Sequence, residues 1–142
     1  MNSIFYNSSS FNGNISRWDT TNVSDMRLMF CLARSFNGYL SEWKTTQVTN
    51  LEDMFYRASF FNGNLSRWDI NRVTSTNSMF LKAISFNSGL SNWNTSRLVD
   101  LSAMFKDAMS FNGSVSSWDT SRVFSMAGMF SGSSSFNGDL SA

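Results

Sequence analysis

Phe36-Asn37-Gly38-Tyr39-Leu40-Ser41-Glu42-Trp43-Lys44-Thr45-Thr46-Gln47-Val48-Thr49-Asn50-Leu51-Glu52-Asp53-Met54-Phe55-Tyr56-Arg57-Ala58 is a phrase that the chain repeats along its whole length. The pair Phe-Asn returns at Phe11-Asn12, Phe36-Asn37, Phe61-Asn62, Phe86-Asn87, Phe111-Asn112 and Phe136-Asn137, a constant step of about 25 residues. Tryptophan keeps the same step at Trp18, Trp43, Trp68, Trp93 and Trp118, and so does the Met-Phe pair that ends in Phe30, Phe55, Phe80, Phe105 and Phe130. No insertion or deletion breaks the phase. A chain this regular stacks each coil on the one before, because a shifted coil would set Trp against the polar positions of its neighbour. The expected core ladder is therefore Phe11, Trp18, Phe36, Trp43, Phe61, Trp68, Phe86, Trp93, Phe111 and Trp118. The array divides into a partial repeat 1–10, full repeats 11–35, 36–60, 61–85, 86–110 and 111–135, and a partial repeat 136–142, in one domain with no visible caps.

Inside one unit, Leu40-Ser41-Glu42-Trp43-Lys44-Thr45 reads as a bend into a short strand, with Trp43 and Thr45 inward and Glu42 and Lys44 outward. Ile70 in place of Thr45 one unit later supports the inward direction. Val48, Leu51, Met54, Phe55 and Ala58 then recur at spacings of three and four, which predicts a short helix or 3-10 segment with Thr46 or its neighbours as the cap. Gly13, Gly38, Gly63, Gly113 and Gly138 suit a left-handed turn after Phe-Asn. The fold class predicted is an α/β solenoid, with one short parallel strand and one short helix or 3-10 segment per repeat. The invariant columns Asn12, Asn37, Asn62, Asn87, Asn112, Asn137 and Ser16, Ser41, Ser66, Ser91, Ser116, Ser141 read as structural ladders that bond coil to coil.

Composition narrows the function. Eleven basic residues against ten acidic ones leave a net charge of +1, which argues against nucleic acid as a partner. There is no histidine, so the commonest general base and metal ligand are missing together. The acidic residues recur as surface columns, and no phosphate loop, metal spacing or activated nucleophile stands out; the expectation is no enzyme, no cofactor and no metal. Cys31 shares its column with Tyr56, Leu81, Lys106 and Ser131, so it reads as an incidental, solvent-facing thiol. No apolar run approaches the ~20 residues of a membrane span. Threonines at Thr20, Thr45, Thr95 and Thr120 repeat like the hydroxyl arrays of ice-binding solenoids, but their column points inward and Ile70 interrupts it.

The motif F-N-G-x-[LIV]-S-x-W-[DN]-T-[TS]-x-V-x-x-M-x-x-M-F-x-x-A resembles the BspA-like leucine-rich repeats, the bacterial surface-protein repeat of similar length also found in mycoplasma lipoproteins. Phe11, Asn12, Ile15, Trp18, Asp19, Val23, Met26, Met29, Phe30 and Ala33 carry it in the first full unit, and Thr76, Ser133 and Ser88 depart from it. The resemblance implies a leucine-rich-repeat-like, right-handed solenoid on a cell surface or in a secreted fibre, with adhesion the usual assignment and no active site.

Two surfaces stand out for function. Arg17, Glu42 and Arg67 alternate in sign down one strand-face column, and Asp19, Lys44 and Asp69 down the column two residues on; Arg17, Glu42, Lys44 and Arg67 are the candidate binding residues. Candidate glycosylation sites are Asn7, Asn14, Asn22, Asn64 and Asn94; Asn112 also has the sequon but belongs to the ladder, where a sugar would be buried. The expected function is an extracellular or cell-surface structural solenoid that associates end to end into a filament. The alternative is an adhesin module that binds a host protein or glycan along its strand face.

Overall fold

A computed structural model describes residues 1–140; the two C-terminal residues, including Ser141 of the serine column, lie outside the described residues. Aromatic side chains set its geometry. Phe30, Phe55, Phe80, Phe105 and Phe130 stack one above another with ring centroids 5.5–5.6 Å apart. A second column, Phe36, Phe61, Phe86, Phe111 and Phe136, runs beside it at 5.9–6.0 Å. The two columns meet face to face with nearly parallel rings, as in Phe55–Phe61 at 3.9 Å and Phe80–Phe86 at 3.8 Å. Trp43 lies over Trp68, and Trp93 over Trp118, each at 6.4 Å. Consecutive coils therefore share one interior. A buried aromatic removes ~150–250 Å² from water, at ~25 cal/mol per Å² of apolar area, so this column is the main stabilising term.

Backbone pairing holds the coils in register. Single-residue parallel bridges join Asp25 to Asn50, Asn50 to Ser75, Ser75 to Asp100 and Asp100 to Ser125. The expected strand lies elsewhere, at 40–45, and the structure makes none there. That segment is two tight turns, Leu40 to Trp43 and Thr45 to Val48, joined by an extended stretch. Trp43 and Thr45 do point inward and Glu42 and Lys44 outward. The buried threonines replace the backbone ladder. Thr20 Oγ1 donates to the Lys44 carbonyl and accepts from the Lys44 N–H, while Thr45 and Thr95 donate to the carbonyls of Asp69 and Asp119. Side-chain hydroxyls inserted between coils take the bonds that a strand pair would have made. Thr120, in the last full coil, is exposed.

No helix forms among the described residues, which corrects the reading of the 48–58 segment. The hydrogen bonds show why. Met54, Tyr56 and Ala58 donate three residues back, to Leu51, Asp53 and Phe55, closing tight turns. The intervening amides of Leu51, Asp53, Phe55 and Arg57 donate instead to Ser75, Asn77, Met79 and Leu81 of the next coil, at 2.8–3.2 Å. A helix would send every amide four residues back and leave nothing for the neighbouring coil. Here alternate amides close turns and stitch coils, so the run is a ribbon of successive turns.

The ribbon needs left-handed residues, and they are not the expected glycines. Leu28, Leu32, Asp53, Arg57, Ser78, Lys82, Ala103 and Asp107 all have φ between 53° and 63°. Two of them fall in each coil. Asp53 is the third residue of the Leu51–Met54 turn, the place where a type II turn demands positive φ. Each of these residues also gives its N–H to the next coil, as Asp53 does to Asn77 and Lys82 does to Lys106, so the stack holds a conformation that an isolated L-residue disfavours. The Phe-Asn-Gly glycines have no such backbone. At Gly38 an added Cβ would come within 2.8 Å of the Phe36 ring, which folds back over its own turn. Close approach of an aromatic ring, not left-handed freedom, favours glycine there, although Ser88 holds the same place beside Phe86.

Candidate functional site

The segments that carry tryptophan, 16–21, 41–46 and 66–71, lie side by side on one face and are built from short polar turns. Thr21, Asn71 and Ser121 each donate an N–H to the aspartate two residues before, Asp19, Asp69 and Asp119. The side-chain hydroxyls of Thr21 and Ser121 first, and these amide bonds second, hold the carboxyls of Asp19 and Asp119 below the ordinary range. Lys44 occupies the same column, between Asp19 and Asp69, and its side chain is exposed.

Two adjoining grooves result. Glu42, Trp43, Lys44, Thr45, Arg67 and Asp69 line one. Arg17, Trp18, Asp19, Thr20, Glu42 and Lys44 line the other. The structure thus brings the candidate residues Arg17, Glu42, Lys44 and Arg67 onto one surface, with Glu42 and Lys44 shared by both grooves. Arg67 pairs with Glu42 at 3.0 Å, with both side chains about two-thirds exposed. Such a pair contributes only ~0.2–1 kcal/mol, so its charges remain available to a ligand.

The core ladder closes over most of its length. Phe36, Trp43, Phe61, Trp68, Phe86, Trp93, Phe111 and Trp118 are buried, whereas Phe11 is half-buried and Trp18 is 40% exposed. Trp18 is a correction. The indole N–H of Trp43, Trp68, Trp93 and Trp118 donates to the carbonyl of Ile15, Leu40, Leu65 and Leu90 in the preceding coil. Trp18 stands beside Phe5, with ring centroids 5.5 Å apart, and lines the groove.

The asparagine column is a coil-to-coil ladder. Oδ1 of Asn12, Asn37, Asn62, Asn87 and Asn112 accepts the backbone N–H of the next asparagine, at 2.8–2.9 Å. The ladder lies at the surface, and Asn112 is exposed, so a sugar there would not be buried as the sequence reading expected. Among the other sequons, Asn14, Asn64 and Asn94 are exposed and use Oδ1 to accept the N–H of Ser16, Ser66 and Ser96. Asn7 and Asn22 are exposed as well. The serine column does not form the expected ladder: Ser16 bonds locally to Asn14, and Ser116 to Ser114.

Cys31 is buried, at 3% exposure, rather than facing solvent. Burial pushes its thiol up to about 11, reinforced by the Asp53 carboxylate and opposed by Arg57. Among the described residues, no three His, Cys, Asp or Glu side chains gather in a way that could hold a metal ion.

The repeat that builds this face is recognisable beyond this one chain. Residues 1–90, and again 62–142, match the family described as Mycoplasma protein of unknown function, DUF285. The chain belongs to this family. The two overlapping matches together span the DUF285 repeat array from end to end, and the family is related to BspA-like, leucine-rich-repeat-type repeats. No curated protein and no solved structure matches the chain.

Sequence reasoning missed the left-handed pairs that shape the DUF285 coil. Their signal is in the last full coil, where Gly128 and Gly132 occupy the two positions with φ of 65° and 76°. Earlier coils carry Leu, Asp, Arg, Ser, Lys or Ala there, which hides the pattern.

Proposed function

We propose that this DUF285 chain is an extracellular structural solenoid whose ends associate, coil on coil, into longer stacks. One observation supports this most strongly: coil-to-coil contact repeats in the same form along the array, ribbon amides of one coil meeting carbonyls of the next. Within the stack, amides at alternate ribbon positions donate to the following coil. Ile4 and Met126 are each 48% exposed, whereas Met29 and Leu101 in the same columns are covered by a neighbouring coil. Contact between unlike faces is heterologous, and it propagates. The resemblance to BspA-like surface repeats supports the extracellular placement.

The test is sedimentation together with negative-stain imaging over a range of concentrations. Rods that lengthen with concentration are expected, and Ile4→Lys combined with Met126→Lys, which sets like charges face to face, shortens them. Isolated particles at every concentration contradict the reading.

A second reading, an adhesin module, draws support from the paired grooves around Glu42 and Lys44. In that case the combined replacement of Arg17, Glu42, Lys44 and Arg67 by serine abolishes binding to a host-surface protein or glycan. Unchanged binding excludes it.

A further inference from the structure

The opposite side of the coil carries a feature that neither reading uses. Where each turn ribbon ends, the backbone forms a second ladder between coils: the amides of Phe60, Ser85, Ser110 and Ser135 donate to the carbonyls of Arg34, Ser59, Ile84 and Met109, at 3.1–3.2 Å. These bonds place Phe60, Ile84 and Met109 on one edge in three successive coils. All three are exposed, Phe60 at 65%, Met109 at 49% and Ile84 at 43%. The repeat does not require them. The Phe60 column is serine in every other coil, and the column of Ile84 and Met109 holds Ser9, Ser59 and Ser134. Large apolar side chains at positions that fold equally well with serine indicate a surface in use.

Charge gathers on the same edge. Arg34, Arg57, Lys82 and Lys106 belong to the ribbon ends at 31–35, 56–60, 81–85 and 106–110, and Asp107 is their one acidic residue. Asp107 lies 3.9 Å from Lys82, and Arg57 lies over the ring of Tyr56 at 5.4 Å, which holds its guanidinium at the surface. A chain of net charge +1 thus keeps a cationic edge while the remainder of its surface carries an excess of carboxylates.

We infer that this edge docks on an anionic lipid surface, inserting Phe60, Ile84 and Met109 between headgroups while the surrounding cations meet the lipid phosphates. Charge complementarity selects a negative partner. Shape selects a soft one: Phe60, Ile84 and Met109 are exposed where the turn ribbons end and line neither of the two grooves, and a lipid interface closes around projecting side chains, whereas a peptide or globular ligand needs a concavity to bury its surface. The arrangement is peripheral. No helix among the described residues is long and apolar enough to cross a membrane.

Co-sedimentation with vesicles of phosphatidylcholine, alone or mixed with phosphatidylglycerol, tests the inference. The intact chain is expected to bind the mixed vesicles, to release them as salt rises, and to leave pure phosphatidylcholine vesicles unbound. Phe60→Ser, Ile84→Ser and Met109→Ser together install the residue that the repeat uses elsewhere, so the coil is retained, and partitioning falls by about tenfold or more. Arg34→Ser with Lys106→Ser, which also copies residues from the same columns, lowers binding and flattens its salt dependence. Circular dichroism of each variant confirms that the fold is intact. Equal binding by the triple variant, equal binding to both vesicle types, or capture by polyglutamate in place of vesicles overturns the inference.

Discussion

Ala103 sits at φ 53° with its N–H bonded to the Ala127 carbonyl 2.9 Å away, and that one residue contains the logic of the coil. An L-residue in the left-handed region costs roughly 1–2 kcal/mol, and the bond to the next coil is what holds it there. Glycine removes the steric part of that cost but adds chain entropy to the unfolded state. Ala103→Gly is therefore expected to raise stability by up to about 1 kcal/mol, and Ala103→Val to lower it by more than that, both read from urea denaturation midpoints. Asp25 makes a different case. It caps the Arg27 N–H and pairs with the Arg27 guanidinium at 2.8 Å, and chiefly through that side-chain bond its carboxyl is held down at about 2. A folded value below the unfolded value of about 3.9 means that the stabilisation is fully present above the unfolded value and is lost as pH falls towards 2. The pair is partly exposed, so solvent screening keeps the effect small. Asn50 occupies the same column and caps Glu52 in the same way, so Asp25→Asn keeps the turn and removes the titration. The variant should lose less stability than the native chain between about pH 5 and pH 2, measured as the shift of the urea midpoint.

At the scale of the element, the turn ribbon explains what could and could not be read in the sequence. The inward positions were legible. Val48, Leu51, Met54, Phe55 and Ala58 are all buried, because spacings of three and four select the inner side of successive turns as well as one face of a helix. The conformation was not legible. The hydrogen-bond partners that separate a ribbon from a helix lie a whole repeat away, and left-handed positions filled by Leu, Arg or Lys carry no turn signal. The strand was misplaced for a related reason. Alternation at Trp43 and Thr45 correctly gave the direction of their side chains, but Thr45 Oγ1 takes the inter-coil bond that strand pairing would have used, and pairing survives only at the Asn50 column. In the candidate site, the charge columns were legible as a shared surface because the constant step fixes which residues are neighbours. The exposure of Trp18 was not, since its place in the repeat is the same as that of the buried tryptophans. The tryptophan column also gives a prediction. Trp68→Phe keeps an aromatic ring in the column but removes the 2.9 Å bond from the indole N–H to the buried Leu40 carbonyl, which then keeps only its turn bond from the Trp43 N–H. Loss of that bond is expected to cost about 0.5–1.5 kcal/mol by denaturant titration, in addition to the lost ring volume.

The whole molecule is a stack in which each coil touches only its neighbours, so its stability is close to a sum of coil and interface terms. Removing residues 61–85 takes out one complete unit and joins partners that are already compatible. The shortened chain should retain near-ultraviolet dichroism and resistance to proteolysis. Removing 61–84 shifts every later Phe and Trp by one place against the coil before it, and should abolish both. The central claim is that alternate ribbon amides bond across coils instead of along a helix. Through-hydrogen-bond NMR couplings from the Asp53 amide nitrogen test it most directly. The structure predicts a coupling to the carbonyl carbon of Asn77, its partner at 3.0 Å in the next coil; a coupling to Thr49, four residues back as in a helix, would contradict it.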